Sequence, residues 1–288
     1  MRIANRDHIM ESWRRARSVF LSDLHLGWRY SHGFEVASYL AGSNPDYLYL
    51  IGDTFEWFRH EPFTSRSDAA GLLRQISRLA KNGTEVFLLP GNHDSALADS
   101  NSTNAWWTDV EWTIRPHVVH RSVDGGRYLV MHGDIFDMQF DSNAKWRRFG
   151  SHLYPWLVRL GDRLHRWGVH PKATDSHWCT YWKFRSTRSV HHIRAYAEFM
   201  TSLAMSQDCH GVVCGHIHFP ANERLGETRY LNCGDWVEHR SCVVESPSGE
   251  LEMLNLQKGR PNRWQPLSIA CAEKDEVTQR GFKQLSKC

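Results

Sequence analysis

Five times along this chain a short apolar run stops at an acid, an amide or an imidazole. Asp23-Leu24-His25 follows Ser18–Ser22 (SVFLS), Gly52-Asp53 follows Tyr47–Ile51 (YLYLI), and Gly91-Asn92-His93-Asp94 follows Glu85–Leu89 (EVFLL). His132-Gly133-Asp134 ends Tyr128–His132, and Gly215-His216-Ile217-His218 follows Gly211–Cys214 (GVVC). Such runs, bounded by turn signals, read as buried strands. Helical spacing near Gly33–Leu40 and over Ser67–Asn82 separates the first three of them. Strand, helix and strand in alternation give a parallel sheet with crossover helices. Ligands of such sheets collect outside the carboxyl ends of the strands. Five strand ends therefore deliver their polar residues to one rim.

The pattern changes after residue 116. Val118–Arg121 and Tyr128–His132 read as consecutive strands about the Asp124-Gly125-Gly126 turn, and Tyr230–Cys233, Ser241–Glu245 and Leu251–Leu256 continue the style. Between these lies 136–208, with helical spacing in Trp156–Trp167 and Val190–Met205 and no strand-like alternation. From 140 to 200 it holds eleven Lys/Arg against four Asp/Glu, with Trp at 146, 156, 167, 178 and 182. It reads as a helical cap inserted into the sheet domain. Residues 1–17, with Arg2, Arg6, Arg14, Arg15 and Arg17, form a basic leader containing one short helix. Its arginines fit a solvated segment better than a membrane contact. The expected organisation is leader 1–17, one domain over 18–256 with a cap at about 136–208, and a polar tail over 257–288.

A chain of 288 residues buries a sizeable core without disulfides. Its seven cysteines are odd in number and show no CxxC spacing, as expected for reduced thiols. No run of eighteen uncharged apolar residues predicts a spanning helix, and the first twenty residues lack the apolar stretch of a secretory leader. The expected location is the cytoplasm. A net charge of +3 does not point to nucleic acid.

The rim set is two Asp, one Asn and four His: Asp23, His25, Asp53, Asn92, His132, His216 and His218. Mixed oxygen and nitrogen donors without thiolate suit Mn, Fe or Zn better than Ca or Mg. Seven ligands exceed one tetrahedral shell and match two ions sharing a carboxylate. Two such ions about 3.5–4 Å apart can clamp a phosphoryl group and acidify a water between them.

In their order, DxH, GD, GNHD, H and GHxH resemble the calcineurin-like metallophosphoesterase superfamily. The resemblance implies a four-layer α/β/β/α sandwich of class α/β. It implies a first metal on Asp23, His25, Asp53 and His218, and a second on Asp53, Asn92, His132 and His216. It also implies that His93 is the general acid, with Asn92 beside it and Glu56 to orient it. Within the superfamily, SDLHLG, GDTFEWF, MHGD followed by a helical insertion, CGHIHFPA and YLNCGDW look like the bacterial UDP-2,3-diacylglucosamine pyrophosphatase group. Those enzymes release UMP and a lipid sugar phosphate, usually with Mn²⁺, and usually carry Arg where this chain has His93.

The resemblance implies a lipid-linked nucleotide-sugar substrate, a peripheral position on the inner face of the inner membrane, and no obligatory protein partner. Trp57, Arg147, Arg148, Trp156 and Arg159 are the expected substrate contacts. Two rivals stand beside this reading. One is a phosphodiesterase or phosphatase for nucleotides, nucleic acid or phosphoprotein, which the basic insertion keeps open. The other is a non-catalytic binding scaffold.

Overall fold

A computed structural model of the chain describes residues 6–28, 30–56, 67–98, 110–140 and 187–256. Strand β1 (Ser18–Ser22) is buried at every position and lies inside a six-stranded sheet. It pairs in parallel with β2 (Tyr47–Ile51), which continues in parallel to β3 (Glu85–Leu89) and β4 (Trp112–Ile114). On its other side β1 runs antiparallel to β10 (Ser241–Glu245), and β10 to β11 (Leu251–Asn255). The second sheet has five strands. It begins with β5 (His117–Arg121) and β6 (Arg127–Met131), and continues through β7 (Gly211–Cys214) and β9 (Thr228–Asn232) to β8 (Ala221–Leu225). Strands β6, β7 and β9 are mutually parallel, with antiparallel strands at both edges.

Successive strand residues point to opposite faces, so each run serves two apolar layers. Phe20, Tyr49, Ile51 and Leu89 face inward and meet Val130, Val213 and Leu231 of the other sheet. The alternate residues Val19, Leu21, Leu48, Leu50 and Leu88 face outward. They pack with α1 (Arg6–Arg14), α2 (Gly33–Ala41) and α3 (Ser67–Lys81), through Trp13, Leu40, Leu72, Ile76 and Leu79. The outer face of the second sheet is covered by α4 (Ile135–Phe140) and α5 (Thr187–Ser206), through Phe136, Tyr196, Ala197 and Met200. This is the expected order of layers, helices on sheet on sheet on helices.

Two strands escape the sequence pattern. Strand β4 is three residues long and only half-buried. Strand β8 (ANERL) is an edge strand held by backbone pairing to β9, and its Glu223 and Arg224 hide it from an apolar scan. His132 lies one residue beyond β6 rather than inside it. The helix expected over Val190–Met205 runs Thr187–Ser206. The helix expected over Trp156–Trp167 and the tail over 257–288 lie outside the described residues. No helix among the described residues is long and apolar enough to cross a membrane.

The leader differs from a solvated segment. Trp13 is fully buried and its indole N–H donates to the Tyr39 carbonyl at 2.8 Å. Arg17 reaches the buried Glu245 at 2.9 Å, while Arg14 and Arg15 face solvent. Glu245 also accepts from the Ser18 hydroxyl, from the Val123 N–H at 2.9 Å and from His120 Nε2 at 3.1 Å. His120 belongs to the second sheet, and its Nδ1 lies 2.9 Å from the Tyr49 hydroxyl of the first. The two sheets are thus clasped at the amino end of β1, away from the rim.

Burial alone would raise the Glu245 carboxyl. The hydrogen bonds from His120, Ser18 and Val123 outweigh it and hold the pKa at about 2, against an ordinary 4.5. A depressed carboxylate stabilises the fold above its unfolded pKa and loses that contribution as pH falls toward its folded one. Glu245→Gln is therefore expected to cost about 3–5 kcal/mol at neutral pH. Its stability should also fall less steeply than wild type between pH 4.5 and about 2. Urea unfolding at pH 7 and across that window checks both. An unchanged acid limb in the variant contradicts the assignment.

Candidate metal centre

The rim is built on unusual backbone. Asp23, His25, Asp53, His216 and His218 have φ of 54°, 45°, 48°, 69° and 54°. Left-handed non-glycine residues cost of order 1–3 kcal/mol each and persist where the surroundings over-determine them. Here the surroundings do so. Asp23 N–H donates to the Gly52 carbonyl at 3.2 Å and His25 N–H to the Asp53 carbonyl at 2.8 Å. His216 N–H donates to Asp23 Oδ2 at 3.0 Å. The buried Asp94 carboxylate accepts the N–H groups of Gly91 (2.7 Å), Thr54 (2.8 Å), Asp53 (3.3 Å) and Phe55 (3.3 Å), tying two rim loops together. Gly52 turns at φ 67°, and a Cβ there would stand 2.2 Å from the His132 ring. Gly215 serves by lacking a side chain, since its Cβ would lie 2.4 Å from Asp23 Oδ2.

The side chains converge in three overlapping groups, Asp23–His25–His218, Asp23–Asp53–His132 and His25–Glu56–His93. Their ligand atoms lie within 4.8 Å of one another in each group. His218 Nε2 is 3.1 Å from Asp23 Oδ1, and His132 Nε2 is 3.5 Å from Asp53 Oδ2. Asn92 Oδ1 is 3.4 Å from His132 Nε2, and the His216 ring is 5.0 Å from the His132 ring. His93 N–H donates to Asp53 Oδ1 at 2.8 Å, and its Nδ1 is 3.2 Å from Glu56. Every residue of the expected ligand set, together with His93 and Glu56, meets at this rim.

Outer partners hold the imidazoles. His25 Nδ1 pairs with Glu56 at 2.7 Å, and His132 Nδ1 lies 3.1 Å from the Ile51 carbonyl. His216 Nε2 pairs with Asp137 at 2.9 Å. Asp235, in the YLNCGDW segment, is buried 3.8 Å from His218 Nδ1 and is engaged by His239. Neither Asp137 nor Asp235 stands out in sequence, because an outer partner follows no spacing rule.

Burial raises the carboxyls of Asp23 and Asp53, but the neighbouring His218 and His132 outweigh it and both stay below the usual range. Burial disfavours charge on His25 and His132. Glu56 and Asp53 outweigh it for His25, and Asp53 for His132, lifting them to about 9 and about 10. The pocket thus concentrates negative charge and attracts cations. Asp23 Oδ1 is buried and accepts no aligned hydrogen bond. A buried carboxylate oxygen left open beside several imidazoles fits a divalent cation.

The calcineurin-like phosphoesterase family model matches residues 16–220. The chain belongs to this family. It is therefore a metal-dependent hydrolase of the metallophosphoesterase type. Its relatives include UDP-2,3-diacylglucosamine hydrolases. That of Azotobacter vinelandii is 28% identical over 204 residues, covering 67% of this chain and 78% of the relative. That of Shewanella frigidimarina is 22% identical over 261 residues, covering 85% and 99%. Among solved structures, an archaeal phosphodiesterase aligns at 11% identity and a TM-score of 0.42, covering 83% of this chain and 99% of its own.

Family membership implies divalent metal ions, and the rim carries the residue groups that could hold them. The expected substrate contacts Trp57, Arg147, Arg148, Trp156 and Arg159 lie outside the described residues. Cys214 and Cys233 are buried behind the rim, and burial pushes both thiols up, as suits reduced packing residues.

The Asp53 carboxylate groups with Asp23 and His132 and accepts the His93 N–H, and its carbonyl accepts the His25 N–H. Metal analysis is expected to find two divalent ions per native chain and substantial loss at both sites in Asp53→Ala. Two ions retained by the variant would remove Asp53 from its central position.

Proposed function

We propose that Asp23, His25, Asp53 and His218 hold one divalent ion, and that Asp53, Asn92, His132 and His216 hold a second. Mn²⁺ is the preferred ion, with Fe or Zn as alternatives for this donor set. When bound, such a pair supplies Lewis acidity toward a phosphoryl group and acidifies a water molecule. The reaction is hydrolysis of a phosphorus–oxygen bond. The preferred substrate is UDP-2,3-diacylglucosamine or a related lipid-linked nucleotide sugar, cleaved at its pyrophosphate to UMP and a lipid sugar phosphate.

The observation that carries the catalytic reading is the pairing of His93 with Glu56. Burial disfavours a charge on His93, but the hydrogen bond to Glu56 and the field of Asp53 outweigh it and raise its pKa. Glu56 accepts the Nδ1–H of the protonated ring at 3.2 Å, which leaves Nε2–H to face the reacting group. His93 is partly open to solvent, where the leaving oxygen can reach it. The raised pKa favours the protonated ring, from which a proton passes to that oxygen. Asn92 presents its amide beside the same group.

The lipid substrate is supported by the names of the relatives and by the basic, Trp-rich sequence of 140–200. That stretch joins positive charge for phosphate to apolar surface for acyl chains, as a lipid-linked headgroup needs. A cytoplasmic enzyme working peripherally at the inner membrane follows from such a substrate. His93 favours a second reading as well. Cleaving a pyrophosphate expels an already acidic phosphate, which gains little from a general acid. An ordinary phosphodiester expels an alkoxide, which gains much. A phosphodiesterase with a poor leaving group is thus the competing reading.

His93→Ala is expected to lower kcat by about 10²–10⁴ for a poor leaving group, to lose much less for a good one, and to keep both ions. Equal losses across a leaving-group series would end the acid role. Acylated UDP-glucosamine is expected to show much higher kcat/KM than the unacylated nucleotide sugar. Equal turnover would discard the lipid reading in favour of the phosphodiesterase.

A further inference from the structure

Several rim imidazoles have outer contacts, and that of His216 comes from the far side of the second sheet. Asp137 Oδ2 lies 2.9 Å from His216 Nε2, whereas Asp235 stands 3.8 Å from His218 and does not hydrogen-bond it. Asp137 lies in the first turn of α4, where the chain leaves the rim after His132 and enters the insertion. A neutral imidazole carries one N–H. With that hydrogen on Nε2 and donated to Asp137, Nδ1 keeps the lone pair.

The helix that carries Asp137 is itself locked to the rim. Phe136 is buried, with its ring 5.3 Å from Tyr196 and 5.6 Å from Phe199 of α5. The buried Tyr196 hydroxyl lies 3.2 Å from the His132 carbonyl and 3.1 Å from the Gly215 carbonyl. It thus joins the two backbones that present His132 and His216. A Cβ on Gly133 would fall 1.9 Å from that hydroxyl, so α5 approaches as closely as the chain allows.

We propose that Asp137 is a positioning residue that fixes His216 in its Nε2–H tautomer and turns Nδ1 toward the second ion. The two ends of the insertion thereby build part of the metal site. Outer carboxylates orient a ligand imidazole and raise its basicity, and their loss typically costs 10–100-fold in metal affinity. The proposal rests on the reading of His216 as a ligand of the second ion.

The test uses the full chain and Mn²⁺ alone. Equilibrium dialysis of Asp137→Ala is expected to show one of two Mn²⁺ ions weakened about 10–100-fold, with the other unchanged. Asp137→Asn, which keeps an acceptor at the same place, should recover most of that loss. Nitrogen-15 spectra of the metal-free protein should place the hydrogen on His216 Nε2 in the native chain and in Asp137→Asn, and show mixed tautomers in Asp137→Ala. If the alanine variant does not fold, Asp137→Ser, too short to reach the ring, takes its place. Native affinity for both ions, or an unchanged tautomer in the truncated variant, overturns the proposal. His216→Ala separates the two claims. If it still binds two Mn²⁺ ions, the ligand reading falls and the proposal with it. If it loses one while Asp137→Ala keeps both, only the proposal falls.

Discussion

Asp23 and Asp53 are buried side by side at the ends of two adjacent parallel strands. Like charges out of water repel, and each raises the proton affinity of the other. Much of the surrounding structure answers that repulsion. Histidines 25, 132 and 218 press against the two carboxylates, and the His216 N–H is turned onto Asp23. The histidines that supply this relief are rim residues on left-handed backbone or immediately after a strand. The strain, the buried charge and the cation affinity of the rim are thus one arrangement. Removing any part leaves the others less favourable.

Asp94 shows how the arrangement is held open. Its carboxyl is raised to about 6 by burial and by the charge of Asp53, against the pull of its backbone donors. It is not itself an expected ligand, yet it spans the Gly52 and Gly91 loops through their N–H groups, that of Asp53 included. The opposite end of the sandwich solves a similar problem differently. Glu245 is buried there too, but Arg17 and His120 close around it. One end leaves Asp23 Oδ1 without an aligned donor and the other satisfies its carboxylate fully. That difference separates the site from the scaffold.

The parts of the molecule legible in sequence are those with local periodicity. SVFLS, YLYLI, EVFLL and GVVC are strands with the expected bounds, because burial on both faces demands an unbroken apolar run. The rim residues were legible because strand ends and glycines mark them. Contacts made across layers were not. Trp13 looked like part of a charged leader, since its burial depends on Tyr39 and α2 rather than on its neighbours. Arg17 read as one more cation until Glu245, more than two hundred residues away, supplied its partner. β8 was hidden because an edge strand is held by backbone hydrogen bonds that any side chain permits. Of the rim glycines, Gly52 turns the chain at positive φ, whereas Gly215 makes room for Ser22 and Asp23.

Strand β1 is central in its sheet, yet one of its two neighbours, β10, is made nearly last. The contact between His216 and Asp23 likewise spans 193 residues. A chain emerging from its amino end therefore presents β1, β2 and β3 with one flank of β1 bare until Ser241–Glu245 appears. Long-range pairings of this kind close slowly, and an open flank invites foreign strands. The rim shares that timetable. A nascent chain carries Asp23, His25 and Asp53 well before it carries His216 and His218, so the complete pocket arises only after nearly the whole domain has been synthesised.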